Sequence, residues 1–208
     1  MDNRYQFACF SIALVASLGL AGCSGGSSSS GTAPAPAELE GVAAKGIMAD
    51  AIIRALRVDT REEIAQTRTN IDGSYQLKLD SHTGPVLLTA ETDERTTLVC
   101  DSVAKSGCGH HESGASGDLN LNGVIDFGER YQPGAGHFLL YSYVPEAPLG
   151  GLIQTGISPL THTVWKLTER SGDLSETRYR TIHNQVNNLF GVAADTLAAP
   201  IDMTAAGT

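Results

Sequence analysis

Residues 69–79 read Thr-Asn-Ile-Asp-Gly-Ser-Tyr-Gln-Leu-Lys-Leu, a turn sequence followed directly by alternating apolar and polar residues. Asp72-Gly73 suits a tight hairpin turn, because glycine readily adopts the positive φ that such turns require. The alternation from Tyr75 to Leu79 is typical of a strand with one buried face. This stretch therefore predicts a β-hairpin within an antiparallel sheet.

Short apolar runs separated by turn residues surround this hairpin and predict further strands. Ala51–Val58 also fits one amphipathic helical turn, but the short strands around it favour a strand. The runs that we interpret as strands are Leu39–Ala44, Ala51–Val58, Val86–Glu91, Thr96–Cys100 and Phe138–Val144. Together with the hairpin they predict a small antiparallel β-sandwich.

Two helices are predicted after the last strand. The first begins at Ser158-Pro159, a capping residue followed by a first-turn proline, and the second begins at Ser175 and ends at Gly191. Apolar residues at helical spacing predict the buried faces, with Leu160, Val164 and Leu167 in the first helix and Tyr179, Ile182, Val186, Leu189 and Phe190 in the second. The predicted fold class is therefore mainly β, with an inserted loop and a C-terminal helical pair.

The charge of the chain argues against one class of partner. Its 208 residues include 23 Asp and Glu against 14 Lys and Arg, which gives a formal net charge of −9. Nucleic-acid binding requires a basic surface that neutralises phosphates, so we expect no nucleic-acid partner. The hydrophobic fraction of 41% is too high for a fully disordered chain.

Residues 1–22 resemble the signal peptide of a bacterial lipoprotein. The uncharged run at residues 7–22 would form about 24 Å of helix, short of the ~30 Å hydrocarbon core of a bilayer. It leads into Leu20-Ala21-Gly22-Cys23, which is similar to a lipobox, and this resemblance implies that Cys23 becomes acylated, for example with palmitate. Ser24 resembles the outer-membrane sorting pattern of the bacterial cell envelope. An ordinary secretory signal is the alternative.

Residues 23–38 are expected to form a tether between the membrane and the folded body. Glycine and serine give a flexible coil, and the Ala-Pro repeat stiffens its end. We expect the β-sandwich over residues 39–150 and the helical segment over residues 151–208. The abrupt end of that segment leaves open a longer natural chain.

Several pieces of the sandwich resemble a carboxypeptidase-regulatory-like domain. They are Gly41-Val42, Ala49-Asp50-Ala51, the Thr69–Tyr75 hairpin and Gly84-Pro85-Val86, and they span about 60 residues. The resemblance implies a seven-stranded, transthyretin-like β-sandwich of the kind common in exported bacterial proteins. It also implies a non-catalytic scaffold or binding module.

Cys100 and Cys108 enclose seven residues rich in turn formers. In an exported protein, two such cysteines predict a disulfide that closes a short loop. A zinc site formed with His110 and His111 is the alternative. The disulfide is favoured because adjacent histidines on a strand point in opposite directions and rarely meet at one ion.

Residues 118–129, here called the acidic loop, match the pattern D-x-[DN]-x-[DN]-G-x5-E at every fixed position. Calcium binds six to eight oxygens, and a twelve-residue loop of this pattern supplies them. Gly123 permits the sharp turn, and Ile125 is expected to attach the loop to the core. The predicted ligands are the side chains of Asp118, Asn120, Asn122, Asp126 and Glu129 and the carbonyl of Val124. A polar turn that binds no ion is the alternative.

The residues that flank the acidic loop differ from those of a paired EF-hand. Gly114–Gly117 excludes a long entering helix, and Arg130–Gln132 allows at most one turn before Pro133. The loop therefore resembles a solitary, EF-hand-like or dockerin-like calcium loop of extracellular proteins rather than a calmodulin-type sensor. This resemblance implies a structural role for the ion.

No motif for catalysis is found in the sequence, and we predict no catalytic residue. The predicted function is that of a lipid-anchored envelope protein, a binding or structural module ordered by one calcium ion. Its predicted partners are the membrane and a glycan, an envelope polymer or another protein. The alternative function is an envelope hydrolase or a carbohydrate-active accessory subunit.

Overall fold

The computed structural model describes residues 35–80, 82–109, 117–134, 136, 138–192 and 195–198, all within the unit Pro34–Thr208. Cys23, its predicted leader and most of the tether lie outside the described residues, as do His110 and His111. Among the described residues, no helix has both the length and the apolar character needed to cross a membrane.

Strand residues outnumber helix residues, so the predicted mainly β class is confirmed. The strands are β1 (Glu38–Val42), β2 (Met48–Ala49), β3 (Ile52–Arg57), β4 (Glu63–Arg68), β5 (Ser74–Lys78), β6 (Val86–Glu91), β7 (Thr97–Val99), β8 (Arg130–Tyr131), β9 (Leu139–Val144) and β10 (Leu152–Gln154). They form three sheets, with the orders β10-β1-β5, β2-β7-β8 and β4-β3-β6-β9.

The predicted hairpin turn precedes β5, which pairs antiparallel with β1 and places Leu77 opposite Leu39. Gly73 adopts φ +79°, and the side chain of Asp72 accepts a hydrogen bond from the N–H of Ser74 at 2.9 Å. The run from Ala51 to Val58 is a strand, because β3 pairs antiparallel with both β4 and β6.

Four strands lie outside the predicted ones: the two-residue strands β2 and β8, and the longer strands β4 and β10. β4 begins at Glu63, where a polar sequence gives little periodic signal. β10 pairs in parallel with β1 and therefore continues the sandwich past residue 150. Both of these longer strands lie at a sheet edge, where polar residues are tolerated because one side faces water.

The helices α1 (Pro159–Ser171) and α2 (Glu176–Phe190) begin and end as predicted. Ser158 and Ser175 cap their first turns, and Gly172 and Gly191 end them in the left-handed conformation. The two helices, here called the helical layer, pack against β9 and form a second hydrophobic cluster beside the main core. The buried members of that cluster are Leu87, Tyr143, Val164, Trp165, Tyr179, Ile182 and Val186.

The predicted faces of the helices are correct at their centres and wrong at three positions. Leu167, Leu189 and Phe190 are exposed by 44%, 80% and 59%. Trp165 and the hydroxyl-bearing Thr161 and Thr168 are buried in α1. Thr161 and Thr168 meet their hydrogen-bond requirement by donating to backbone carbonyls, which permits burial.

Candidate metal centre

The backbone of the acidic loop has positive φ at three residues. Leu121 has φ +57°, Gly123 has φ +79° and Gly128 has φ +86°. Glycine takes up this conformation at low steric cost, whereas leucine rarely adopts it. The loop is therefore held in a defined conformation that its own hydrogen bonds must maintain.

Asp118, at the first position of the loop, is only 3% exposed. Its Oδ1 accepts a hydrogen bond from the N–H of Asn122 at 3.1 Å, and its Oδ2 accepts one from the N–H of Gly123 at 2.9 Å. A buried carboxylate is stable when such donors surround it. The side chain of Asp118 thus fixes the backbone of the first half of the acidic loop.

Glu129, at the last position, is also buried, with 8% exposed. Its Oε1 accepts a hydrogen bond from the N–H of Leu119 at 3.0 Å, and its Oε2 accepts one from the N–H of Asp126 at 2.8 Å. Both oxygens of one carboxylate therefore join the beginning of the loop to its second half.

Three further predicted ligands are brought into direct contact. The Nδ2 atoms of Asn120 and Asn122 donate to Oδ2 of Asp126 at 2.7 and 2.9 Å. The Oδ1 atoms of the same amides accept hydrogen bonds from the N–H groups of Asn122 and Val124, at 3.1 and 2.7 Å. Each amide oxygen keeps a second lone pair that a cation can use.

The acidic loop contains three acids and no lysine or arginine. Among the described residues, no lysine or arginine forms an ion pair with Asp126 or Glu129. The same part of the chain holds no group of three or more His, Cys, Asp or Glu side chains placed to bind a metal. The donors of the loop are a mixed set of carboxylate and amide oxygens, which suits a hard ion such as calcium.

Ile125 attaches the acidic loop to the main core, where it is fully buried. Its N–H donates to the carbonyl of Gly109 at 3.3 Å, and its carbonyl accepts a hydrogen bond from the N–H of Cys108 at 2.8 Å. The sequence predicts the burial of Ile125. It does not reveal the segment that pairs with it, because that contact depends on tertiary structure.

The predicted disulfide between Cys100 and Cys108 is present, with Cα atoms 5.7 Å apart. Disulfide sulfurs do not provide the thiolates that bind zinc, so the alternative zinc site is wrong in its cysteine ligands. The two histidines of that alternative lie outside the described residues.

After the acidic loop the chain forms β8, which pairs with β7 and places Arg130 opposite Val99. A strand thus takes the place of the short helical turn that the sequence allowed at Arg130–Gln132. The acidic loop is therefore followed directly by a strand, and Glu129, its last predicted ligand, is the residue before β8.

His183 in α2 has structural contacts. His183 Nε2 lies 3.0 Å from Thr196 Oγ1, 3.0 Å from Asn187 Nδ2 and 4.0 Å from Asp195 Oδ1. All three contacts are made by Nε2. In a Ser-His-Asp catalytic triad, by contrast, the acid contacts the other ring nitrogen, Nδ1. Burial lowers the pKa of His183, and the charge of Asp195 opposes that shift.

The tyrosines of β9 pack against the helical layer rather than forming an open face for sugars. The ring of Tyr143 lies 5.2 Å from that of Trp165 and 5.0 Å from that of Tyr179, and burial raises the pKa of Tyr179 to about 12. The ring of Tyr141 is covered by Lys166 Nζ at 4.8 Å from its centre.

The chain was compared with models of protein families, with curated proteins and with solved structures, and it matches none of them.

Proposed function

We propose that this protein is a lipid-anchored, non-catalytic module of the bacterial cell envelope whose fold is ordered by one calcium ion. The observation that carries the proposal is the closure of the acidic loop by two buried carboxylates, Asp118 at its first position and Glu129 at its last. Such a module displays a surface to a glycan, an envelope polymer or another protein.

Calcium fits the loop better than magnesium does. The predicted ligands are five oxygen-bearing side chains and one carbonyl, and they include three acids. Calcium accepts such a flexible and mixed set, whereas magnesium requires near-ideal octahedral geometry and retains several waters. Calcium loops of extracellular modules typically bind the ion at about 10⁻⁴–10⁻³ M.

The role of the ion is to stabilise the fold rather than to signal. The acidic loop lies between the disulfide and β8, and Ile125 joins it to the main core. A ligand that binds only the folded state stabilises it by about 2.7 kcal/mol at 100 times its Kd. Binding energy of this size is therefore added to the stability of the whole sandwich.

Export to the envelope is supported by the disulfide, because such bonds persist mainly in oxidising compartments. The folded body includes the end of the predicted tether, since Ala37 is fully buried in the main core and the carbonyl of Ala35 accepts a hydrogen bond from the N–H of Gly150. The 11 residues from Ser24 to Pro34 would reach roughly 35–40 Å if fully extended. That length lets the body stand clear of a membrane in which the lipid on Cys23 is embedded.

Thermal unfolding of the full chain in detergent tests the calcium site. Calcium at 100 times its Kd should raise Tm by roughly 5–10 °C relative to chelator. The double variant Asp118→Asn with Glu129→Gln should lose that difference, because it removes two ligand charges while retaining the shapes of the side chains.

The matched control is Glu62→Ala with Glu146→Ala, which removes two acids from exposed positions outside the loop. This control should keep the full difference in Tm between calcium and chelator. Identical melting curves of the unaltered protein with and without calcium would reject the calcium site.

The lipid anchor has a separate test that does not involve calcium. Expression in a bacterial host with radiolabelled palmitate should label the protein and place it in the membrane fraction. Cys23→Ser should abolish the label, whereas Cys9→Ser should not, because Cys9 lies in the predicted leader. Retention of the label in Cys23→Ser would contradict the proposed anchor.

A further inference from the structure

The disulfide loop, residues 100–108, holds the second half of the acidic loop from two sides. At one end, the N–H of Cys100 donates to the carbonyl of Glu129 at 2.8 Å, and its carbonyl accepts from the N–H of Gly128 at 2.9 Å. At the other end, Cys108 pairs with Ile125 as described above. The two half-cystines thus bracket residues 125–129.

The contact between the two loops is tight. A Cβ atom on Gly107 would lie 2.0 Å from the carbonyl oxygen of Ile125, so the two backbones touch. Cys100 is fully buried, whereas residues 103–106 between the half-cystines are exposed. Within this exposed segment, the carbonyls of Ala104 and Ser106 accept hydrogen bonds from the N–H groups of Gly107 and Gly109. The disulfide closes the loop whose two ends pair with the acidic loop.

The start of the disulfide loop is also fixed to the sandwich. Asp101 accepts hydrogen bonds from Lys45 Nζ at 2.5 Å and from the N–H of Gly46 at 3.0 Å. The Cys108 end is held by its backbone hydrogen bond with Ile125, by the packing of Cys108 against the main core and by the disulfide.

We propose that Cys100 and Cys108 are positioning residues of the calcium site, so that calcium binding and disulfide formation favour each other. This inference rests on the proposed function of the acidic loop. When the disulfide is intact, Ile125 and Glu129 are held where the ion needs them. When it is reduced, calcium binding must also order the disulfide loop, which weakens the affinity.

The coupling is reciprocal by thermodynamic necessity. Any factor by which the disulfide strengthens calcium binding is the factor by which calcium favours the disulfide over the dithiol. Reduction by dithiothreitol breaks the S–S bond and gives two thiols, with two electrons and two protons taken from the reagent, which becomes a cyclic disulfide. The equilibrium constant of this exchange is therefore expected to depend on calcium.

The decisive experiment uses the unaltered full chain. Free thiols are first blocked with N-ethylmaleimide, and the protein is then equilibrated in dithiothreitol redox buffers with calcium, magnesium or chelator. Newly exposed thiols are counted by mass spectrometry. Calcium should shift the equilibrium towards the disulfide at least about fivefold, and magnesium should shift it much less.

Calorimetric titration with calcium chloride measures the other side of the same cycle. The oxidised protein should bind calcium at least about fivefold more tightly than Cys100→Ala with Cys108→Ala. Val164→Ala is the matched control, because it destabilises the helical layer without touching either loop. Its Kd for calcium should equal that of the unaltered protein.

The outcomes separate the two proposals. If the unaltered protein binds no calcium, the proposed function is wrong and this inference falls with it. If it binds calcium but neither Kd nor the redox equilibrium changes, the calcium site stands and the inference alone is overturned. If the double cysteine variant does not fold, the redox titration of the unaltered protein decides.

Discussion

The acidic loop and the helical layer lie on the same sandwich but are stabilised by different interactions. In the loop, two buried carboxylates and two exposed amides accept hydrogen bonds from backbone N–H groups, and three acids lie within twelve residues. In the helical layer, Trp165 and Tyr143 pack in an apolar cluster. We therefore expect the stability of the acidic loop to depend on a bound cation. The stability of the helical layer should depend on the volume of its buried side chains.

Ile125 is the point at which the polar loop reaches apolar surroundings. Its side chain belongs to the main core, and its N–H and carbonyl bind the disulfide loop. The stability of the loop therefore has two sources, one that depends on charge and one that depends on burial. Substitutions in each region separate these contributions.

The largest effect is expected from Trp165→Ala. Trp165 is 1% exposed, and replacing such a residue with alanine costs about 3–5 kcal/mol of unfolding free energy. Urea unfolding followed by circular dichroism should show the same loss in calcium and in chelator. A loss that changes with calcium would show that the helical layer and the acidic loop are energetically linked.

An intermediate effect is expected from Ile125→Ala. Removing this buried side chain should cost about 3 kcal/mol in chelator, and it should also reduce the gain in stability that calcium gives. The control is Ile53→Ala in β3, which is equally buried but lies away from the acidic loop. Urea unfolding of this control should show a similar loss with the full calcium gain. An undiminished gain in Ile125→Ala would mean that hydrogen bonds alone shape the loop.

Local signals explain what the sequence predicted well. Asp72-Gly73 requires a tight turn, and Ser158-Pro159 requires a helix start, whatever surrounds them. Both features are found where the sequence places them. The closed form of the acidic loop is local in the same sense, because its Asp118 and Glu129 form hydrogen bonds within twelve residues, whereas calcium binding by these residues stays a prediction.

Tertiary context explains what the sequence missed. Leu189 and Phe190 follow the helical period of α2, but at the end of this helix no neighbouring element among the described residues covers their side chains, which are 80% and 59% exposed. β10 is recognisable only through its partner β1, which lies more than a hundred residues earlier. The pairing of Cys108 with Ile125 likewise requires knowledge of how two neighbouring loops of the chain fold onto each other.

The smallest expected effect is a change of the unfolding free energy with pH, caused by two histidines of the helical layer. Burial lowers the pKa of both His183 and His162 in the folded protein. As the pH falls below the ordinary histidine value of about 6.5, the unfolded chain takes up protons before the folded one does. Stability should therefore be complete above that pH and should decrease from pH 7 towards pH 5, by less than either substitution costs.

Urea unfolding across this pH range, in the unaltered protein and in His183→Gln, measures the dependence. The variant should lose less stability on acidification, because the side chain that takes up the proton on unfolding is gone. The difference between the two proteins should be the same in calcium and in chelator, since His183 contacts Thr196 and Asn187 rather than the acidic loop. If the difference disappears in chelator, the group that takes up the proton lies in the proposed calcium site. The assignment of the pH dependence to the helical layer would then be wrong.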